Sequence, residues 1–166
     1  MQTEEVSKLK SYKTIPVATP RALVVFCGDP RFQGPIHQFL QEELGLKDGE
    51  YLPFVIRGGV ASLTLQGFLP KEAKYATEGA IAYLKQFTSI GKVILINHED
   101  CGKYKILQKV APFFFQASQH VTDRQRADLV LVATMLGGLS PRHVVFERYF
   151  AKFADSNKSE VVFEKQ

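Results

Sequence analysis

The chain has no tryptophan, only two cysteines and two methionines in 166 residues, and nowhere the run of about 18 apolar residues that a membrane helix needs. An aromatic core must therefore come from phenylalanine and tyrosine, and two cysteines exclude a disulfide-framed scaffold. The opening MQTEEVSKLKSYK lacks the continuous apolar stretch of a secretory signal, which sets the expectation of a soluble, cytoplasmic protein with no membrane partner. In that reducing compartment the two thiols suit a metal better than a disulfide. Low-complexity tracts, internal repeats and linkers are missing too, so one domain, 1–166, is expected. The net charge of +4 is small and spread out, which gives no footprint for nucleic acid. Several enzyme classes drop out as well. Cys-x-x-Cys is absent, as are Gly-x-Gly-x-x-Gly and Gly-x4-Gly-Lys, and a Cys-x5-Arg phosphate loop fails because Gln33 and Leu107 occupy the arginine position.

What is present reads as alternating strands and helices. An amphipathic helix over 3–12, with Val6, Leu9 and Tyr12 at helical spacing, precedes an extended arm, so that 1–20 forms an appendage to the core. RALVVFC over 21–27 is nearly all apolar, as a parallel strand covered on both faces must be. A helix is predicted over 33–44 with Gly45 as its stop, then a strand YLPFVI entering a glycine-rich loop. Further helices are expected over 71–87 and 122–136, the latter capped by Thr122 and closed by Gly137 and Gly138, with the strand KVILIN between them. HVVFERYF and EVVFEK flank the turn-rich ADSNKS and predict a terminal hairpin. The fold class is α/β: an open three-layer α/β/α arrangement of 21–136 around a mainly parallel sheet, with C-terminal strands over 137–166 that add an antiparallel edge.

Ligands in such sheets sit at the carboxyl ends of strands, and the chemistry-bearing residues fall there. Cys27, Asp29 and Arg31 occupy alternate positions after the first strand, and Pro30 biases Asp29 toward extended backbone. His98 and Cys101 follow the strand KVILIN, separated by two residues at a strand-to-helix junction whose amides and dipole would favour a thiolate. Cys27, His98 and Cys101 make a Cys2His donor set, the pattern of catalytic zinc with one position left for water. His37, His120 and His143 lack partners at metal-like spacing, and Phe113, Phe114 and Phe115 read as core. Arg57 either braces the glycine loop or pairs with a carboxylate, and Glu99 and Asp100 face solvent or support the ligands they separate.

Cys-x-Asp-x-Arg followed some seventy residues later by His-x-x-Cys-Gly resembles the signature of the β-class carbonic anhydrases. The resemblance spans Leu23 to Tyr104 and includes Val55-Ile56-Arg57-Gly58, where that family leads a strand into Arg-Asn-Ala-Gly. It implies one Zn²⁺ per chain held by Cys27, His98 and Cys101, with Asp29 and Arg31 as the catalytic pair. It implies reversible hydration of carbon dioxide to bicarbonate and a proton by a zinc-bound hydroxide, and a homodimer or larger homo-oligomer clasped by the N-terminal segment. It also implies a closed state in which Asp29 leaves Arg31 and becomes the fourth ligand. Pro30 in place of a serine and Gly59 in place of the asparagine depart from the family pattern. They keep two further readings open: hydrolysis of carbonyl sulfide or carbon disulfide on the same site, and a non-catalytic zinc-binding relative.

Overall fold

Two strands whose side chains are apolar on both faces anchor the sheet. β1 (Ala22–Cys27) is buried along its whole length, and β3 (Lys92–His98) is buried from its second residue on. The structure, a computed structural model, describes residues 12–15, 19–115 and 120–166. The expected helix over 3–12 lies outside the described residues except for Tyr12, and so does the middle of the arm after it.

Five strands run in the order β2-β1-β3-β4-β5. β2 (Tyr51–Ile56), β1, β3 and β4 (Val145–Phe153) pair in parallel, while β5 (Val161–Lys165) closes the far edge antiparallel to β4. The α/β class, the mainly parallel sheet and the terminal hairpin therefore stand as the sequence predicts. Pro53 sits in β2, an edge strand, where a missing backbone donor is tolerated.

Alternate residues of β1 and β3 point to opposite faces and produce two cores. Ala22, Val24, Phe26, Ile94 and Ile96 pack under α1 (Pro30–Glu42) with its Phe32, Ile36 and Leu40. Leu23, Val25, Val93 and Leu95 pack against α3 (Pro70–Gln86) and α5 (Val121–Leu139), with the short α2 (Ala61–Thr64) filling in through Leu63. Each Leu, Val, Ile or Phe so buried contributes about 1.5–3 kcal/mol relative to exposure, which is why the strand patterns dominate the fold. The chain leaves β1 for one neighbour and returns past it to the other. The crevice at the carboxyl ends of β1 and β3 is thus a topological switch point.

Three boundaries differ from expectation. α1 begins at Pro30 rather than near residue 33, because proline's fixed φ suits the first helical position and Asp29 caps it. Arg31 consequently lies in a helical turn and not on an extended segment with Cys27 and Asp29. α5 runs through Gly137 and Gly138 to Leu139; the break falls at Ser140, whose extended ψ of 138° is what the following Pro141 demands. The residue at its N-cap is His120 rather than Thr122, and no side chain caps it.

Candidate metal centre

Cys27 ends β1, His98 ends β3, and Cys101 is the N-cap of α4 (Gly102–Val110). Adjacent parallel strands bring the first two together, and one tight turn returns the third. Their donor atoms all lie within 4.8 Å of one another, and each residue is at least nine-tenths buried. Both cysteines are free thiols.

The imidazole of His98 is set for a ligand. Its Nδ1 lies 2.8 Å from the Glu99 carbonyl, which can only accept, so Nδ1 carries the proton and Nε2 the lone pair. Nε2 is buried without a hydrogen-bond partner. An orphaned acceptor beside two thiols is costly unless something occupies the space between them, and a Cys2His donor set fits zinc. The neighbouring Cys101 thiol holds the Cys27 thiol far below its ordinary range against the opposing effect of burial. Cys27 in turn, followed by burial, pushes Cys101 up, so Cys27 ionises first; the amides of Tyr104 and Lys103 at the start of α4 work in the opposite direction.

A buried polar network supports the end of β3 and the turn after it from behind. Gln125 Nε2 donates to the His98 carbonyl at 2.6 Å, and Asn97 Nδ2 donates to the Gln125 carbonyl at 2.8 Å and to Tyr104 Oη at 3.1 Å. Tyr104 donates in turn to Asp128 at 2.8 Å, whose other oxygen accepts from Arg124 at 2.9 Å. The network ties the end of β3 to α4 and α5, so the turn bearing His98 and Cys101 is clamped on both sides.

Asp29 and Arg31 form a fork, with Nε to Oδ1 at 3.0 Å and Nη2 to Oδ2 at 2.7 Å. Asp29 Oδ1 also accepts the Arg31 amide at 3.0 Å, so the helix cap and the ion pair share one carboxylate. Arg31 holds the Asp29 carboxyl below its usual range, and Asp29, then Asp100, raises the guanidinium. Loss of a serine at Pro30 leaves this fork intact.

Cys27, Arg31, Val55, Arg57, Lys103 and Ile106 are among the residues lining an open cleft of about 630 Å³ over the thiols. Its glycine loop cannot accept side chains. Gly58 and Gly59 have left-handed φ of +81° and +54°; a Cβ on Gly58 would meet Lys103 Cγ at 2.5 Å, and one on Gly59 would stand 2.9 Å from the Cys27 amide nitrogen. Gly59, having no side chain, is therefore what lets the loop touch the end of β1. Lys103, two residues past Cys101, reaches Glu72 at 2.8 Å and so closes the loop from the other side.

The structure separates the other candidates from the centre. His37 is engaged with Tyr51 at 2.6 Å on the exposed side of α1, and His120 and His143 are exposed. Phe114 and Phe115 pack against the cluster holding both cysteines, but Phe113 is 72% exposed and is not core. Glu99 accepts the Phe153 amide at 3.0 Å, and Asp100 turns to Arg31; the spacing of these two residues carries no sign of either role.

No protein-family model matches the sequence, and no curated protein does. Solved structures match across nearly the whole chain. The carbonic anhydrase of Streptococcus mutans is 15% identical, with 92% of this chain and 87% of that one covered at a TM-score of 0.52. β-carbonic anhydrase isoform I of Trichomonas vaginalis is 14% identical over 93% and 87%, at 0.54. The carbonic anhydrase of Glaciozyma antarctica is 15% identical over 88% and 82%, at 0.51. The chain has the fold of these carbonic anhydrases.

Proposed function

We propose that the protein holds one zinc ion per chain through Cys27, His98 and Cys101 and catalyses the reversible hydration of carbon dioxide to bicarbonate and a proton. The observation that carries this reading is the convergence of three buried donors, one of them the orphaned His98 Nε2, beside the forked Asp29 and Arg31. Zinc in this position supplies Lewis acidity that brings the pKa of a water from about 16 to about 7, so that a nucleophile exists near neutral pH.

The chain's own residues do the rest. Asp29, kept ionised by Arg31, accepts a hydrogen bond from the attacking oxygen and so fixes its orientation. Arg31 fixes Asp29 and gives the anionic product a cation to leave along. The half-exposed Val55 and Ile106 offer uncharged carbon dioxide an apolar wall. Both Asp29 oxygens are on Arg31, the arrangement that this reading requires of the active, open state.

The same reading takes the protein as a cytoplasmic homodimer or larger homo-oligomer. The exposed Val55, Ile106, Val110 and Phe113 support a covered face, and no helix among the described residues is long and apolar enough to cross a membrane.

Stopped-flow hydration of carbon dioxide by protein of measured zinc content, with Asp29→Ala as control, tests the proposal. Stoichiometric zinc and turnover that the variant loses are expected. Zinc without turnover overturns the anhydrase reading, and carbonyl sulfide and carbon disulfide then separate the alternative hydrolase from a non-catalytic protein. Absence of zinc overturns the whole reading.

A further inference from the structure

Asp100 lies between two proposed ligands, yet its side chain turns away from them and toward charge. Its Oδ2 accepts from Arg31 Nη1 at 2.8 Å and from Lys158 Nζ at 2.9 Å, and its Oδ1 pairs with Lys105. Its backbone carbonyl accepts from Arg31 Nη2 at 3.2 Å. Arg31 is therefore gripped from two sides: Nε and Nη2 by Asp29, Nη1 and Nη2 by Asp100. A guanidinium is planar and rigid, so bonds on two of its edges fix its plane, which the Asp29 fork alone leaves free to rock with α1.

We infer that Asp100 is the positioning residue of the Asp29–Arg31 pair, and that Lys158, from the turn joining β4 to β5, holds Asp100 in place. The role in hydration rests on the function proposed above; the positioning of Arg31 does not. Asp100 touches neither substrate nor metal in this account. It acts through Arg31, and the C-terminal hairpin becomes part of the site's support although it contributes nothing to the ligand set. Asp100 also adopts a left-handed φ of 61°, a conformation that most residues avoid and that persists only where surrounding structure specifies it.

The test uses Asp100→Asn, which keeps the shape and a residue tolerant of left-handed backbone while removing the charge, and Lys158→Gln at an exposed turn. Solvent exchange of the Arg31 Nε–H is read by ¹H–¹⁵N NMR on the zinc-loaded protein, the signal being assigned by its loss in Arg31→Lys. This proton is bonded to Asp29 and not to Asp100, so a change in it reports the orientation of Arg31 rather than a deleted contact. Asp100→Asn should speed its exchange about tenfold and lower kcat about tenfold, with KM and zinc content unchanged; Lys158→Gln should move both the same way by less. An unchanged Arg31 signal overturns the inference, and so does an unchanged kcat in an active enzyme. If the wild type fails to hydrate carbon dioxide the Arg31 signal decides alone, and if Asp100→Asn fails to fold Lys158→Gln decides.

Discussion

Asp100 and Lys158 are the two non-glycine residues with positive φ among the described residues, at 61° and 57°, and their side chains meet at 2.9 Å. They belong to different loops, one after β3 and one between β4 and β5. Each left-handed residue costs on the order of 1 kcal/mol, so both persist because surrounding structure specifies them. On the hairpin side Asp155 accepts the Ser159 amide at 2.8 Å, and Ala154 donates to Glu160 at 2.9 Å, which fixes the turn that carries Lys158. The pair joins that turn to the loop bearing the proposed ligands.

This junction should weaken in acid. Lys105, Arg31 and Lys158 hold the Asp100 carboxyl well below the usual carboxylate range, and Arg31 does the same to Asp29. Folded pKa values below the unfolded value of about 3.9 mean that the native state binds fewer protons, so the stability contributed is present above that value and is lost as pH falls through the folded ones. Tm should hold from about pH 7 to about pH 5 and decline below about pH 4. In Asp100→Asn the decline should be shallower, and a decline parallel to the wild type would show that Asp100 contributes nothing to it.

Gly59 permits the closest approach in the site, and Gly59→Ala tests it. The added Cβ would meet the Cys27 amide nitrogen at 2.9 Å on a left-handed backbone, and neither β1 nor the loop can yield without displacing a buried strand end. A loss of about 1–3 kcal/mol is expected in urea denaturation, as for overpacked cores. Zinc affinity, measured by chelator competition, should fall with it because the displaced atom belongs to Cys27.

Zinc should also set the apparent stability. A ligand bound only by the native state, at about a thousandfold its Kd, adds about 4 kcal/mol, and at about 2–4 °C per kcal/mol for a chain of this size chelation should lower Tm by roughly 10 °C. His98→Ala should melt at one temperature with or without zinc. A chelator shift that survives in His98→Ala would place the metal elsewhere.

The sequence shows the fold and the Cys27, His98 and Cys101 cluster for the same reason: both rest on local patterns. ALVVFC and KVILINH announce strands because the sheet buries both of their faces, and the two motifs follow directly from strand ends. Helix ends were less legible. Pro30 starts α1 and Gly137-Gly138 lie inside α5, because a proline is welcome in a first turn and a glycine ends a helix only where left-handed backbone is needed. The support for the site was not legible at all. Asp100 meets Lys158 58 positions away, and Asn97 and Tyr104 meet Gln125 and Asp128 on α5, contacts that exist only once the sheet has formed. Gly59 read as a departure from a motif, whereas the packing makes its missing side chain a requirement.

Arg31→Lys separates charge from geometry at the site. Lysine keeps one positive charge but offers a compact ammonium in place of the planar fork that Arg31 divides between Asp29 and Asp100. Cys27, His98 and Cys101 are untouched by the change, so zinc content should stay stoichiometric. The carboxylate of Asp29 would lose its two-point anchor and its fixed orientation toward the attacking oxygen. A fall in kcat/KM of roughly a hundredfold, equivalent to about 2.7 kcal/mol, is the expected outcome in stopped-flow hydration. A lysine variant within about twofold of wild type would show that a nearby positive charge suffices, and the two-sided grip on Arg31 would then be a structural feature without catalytic consequence.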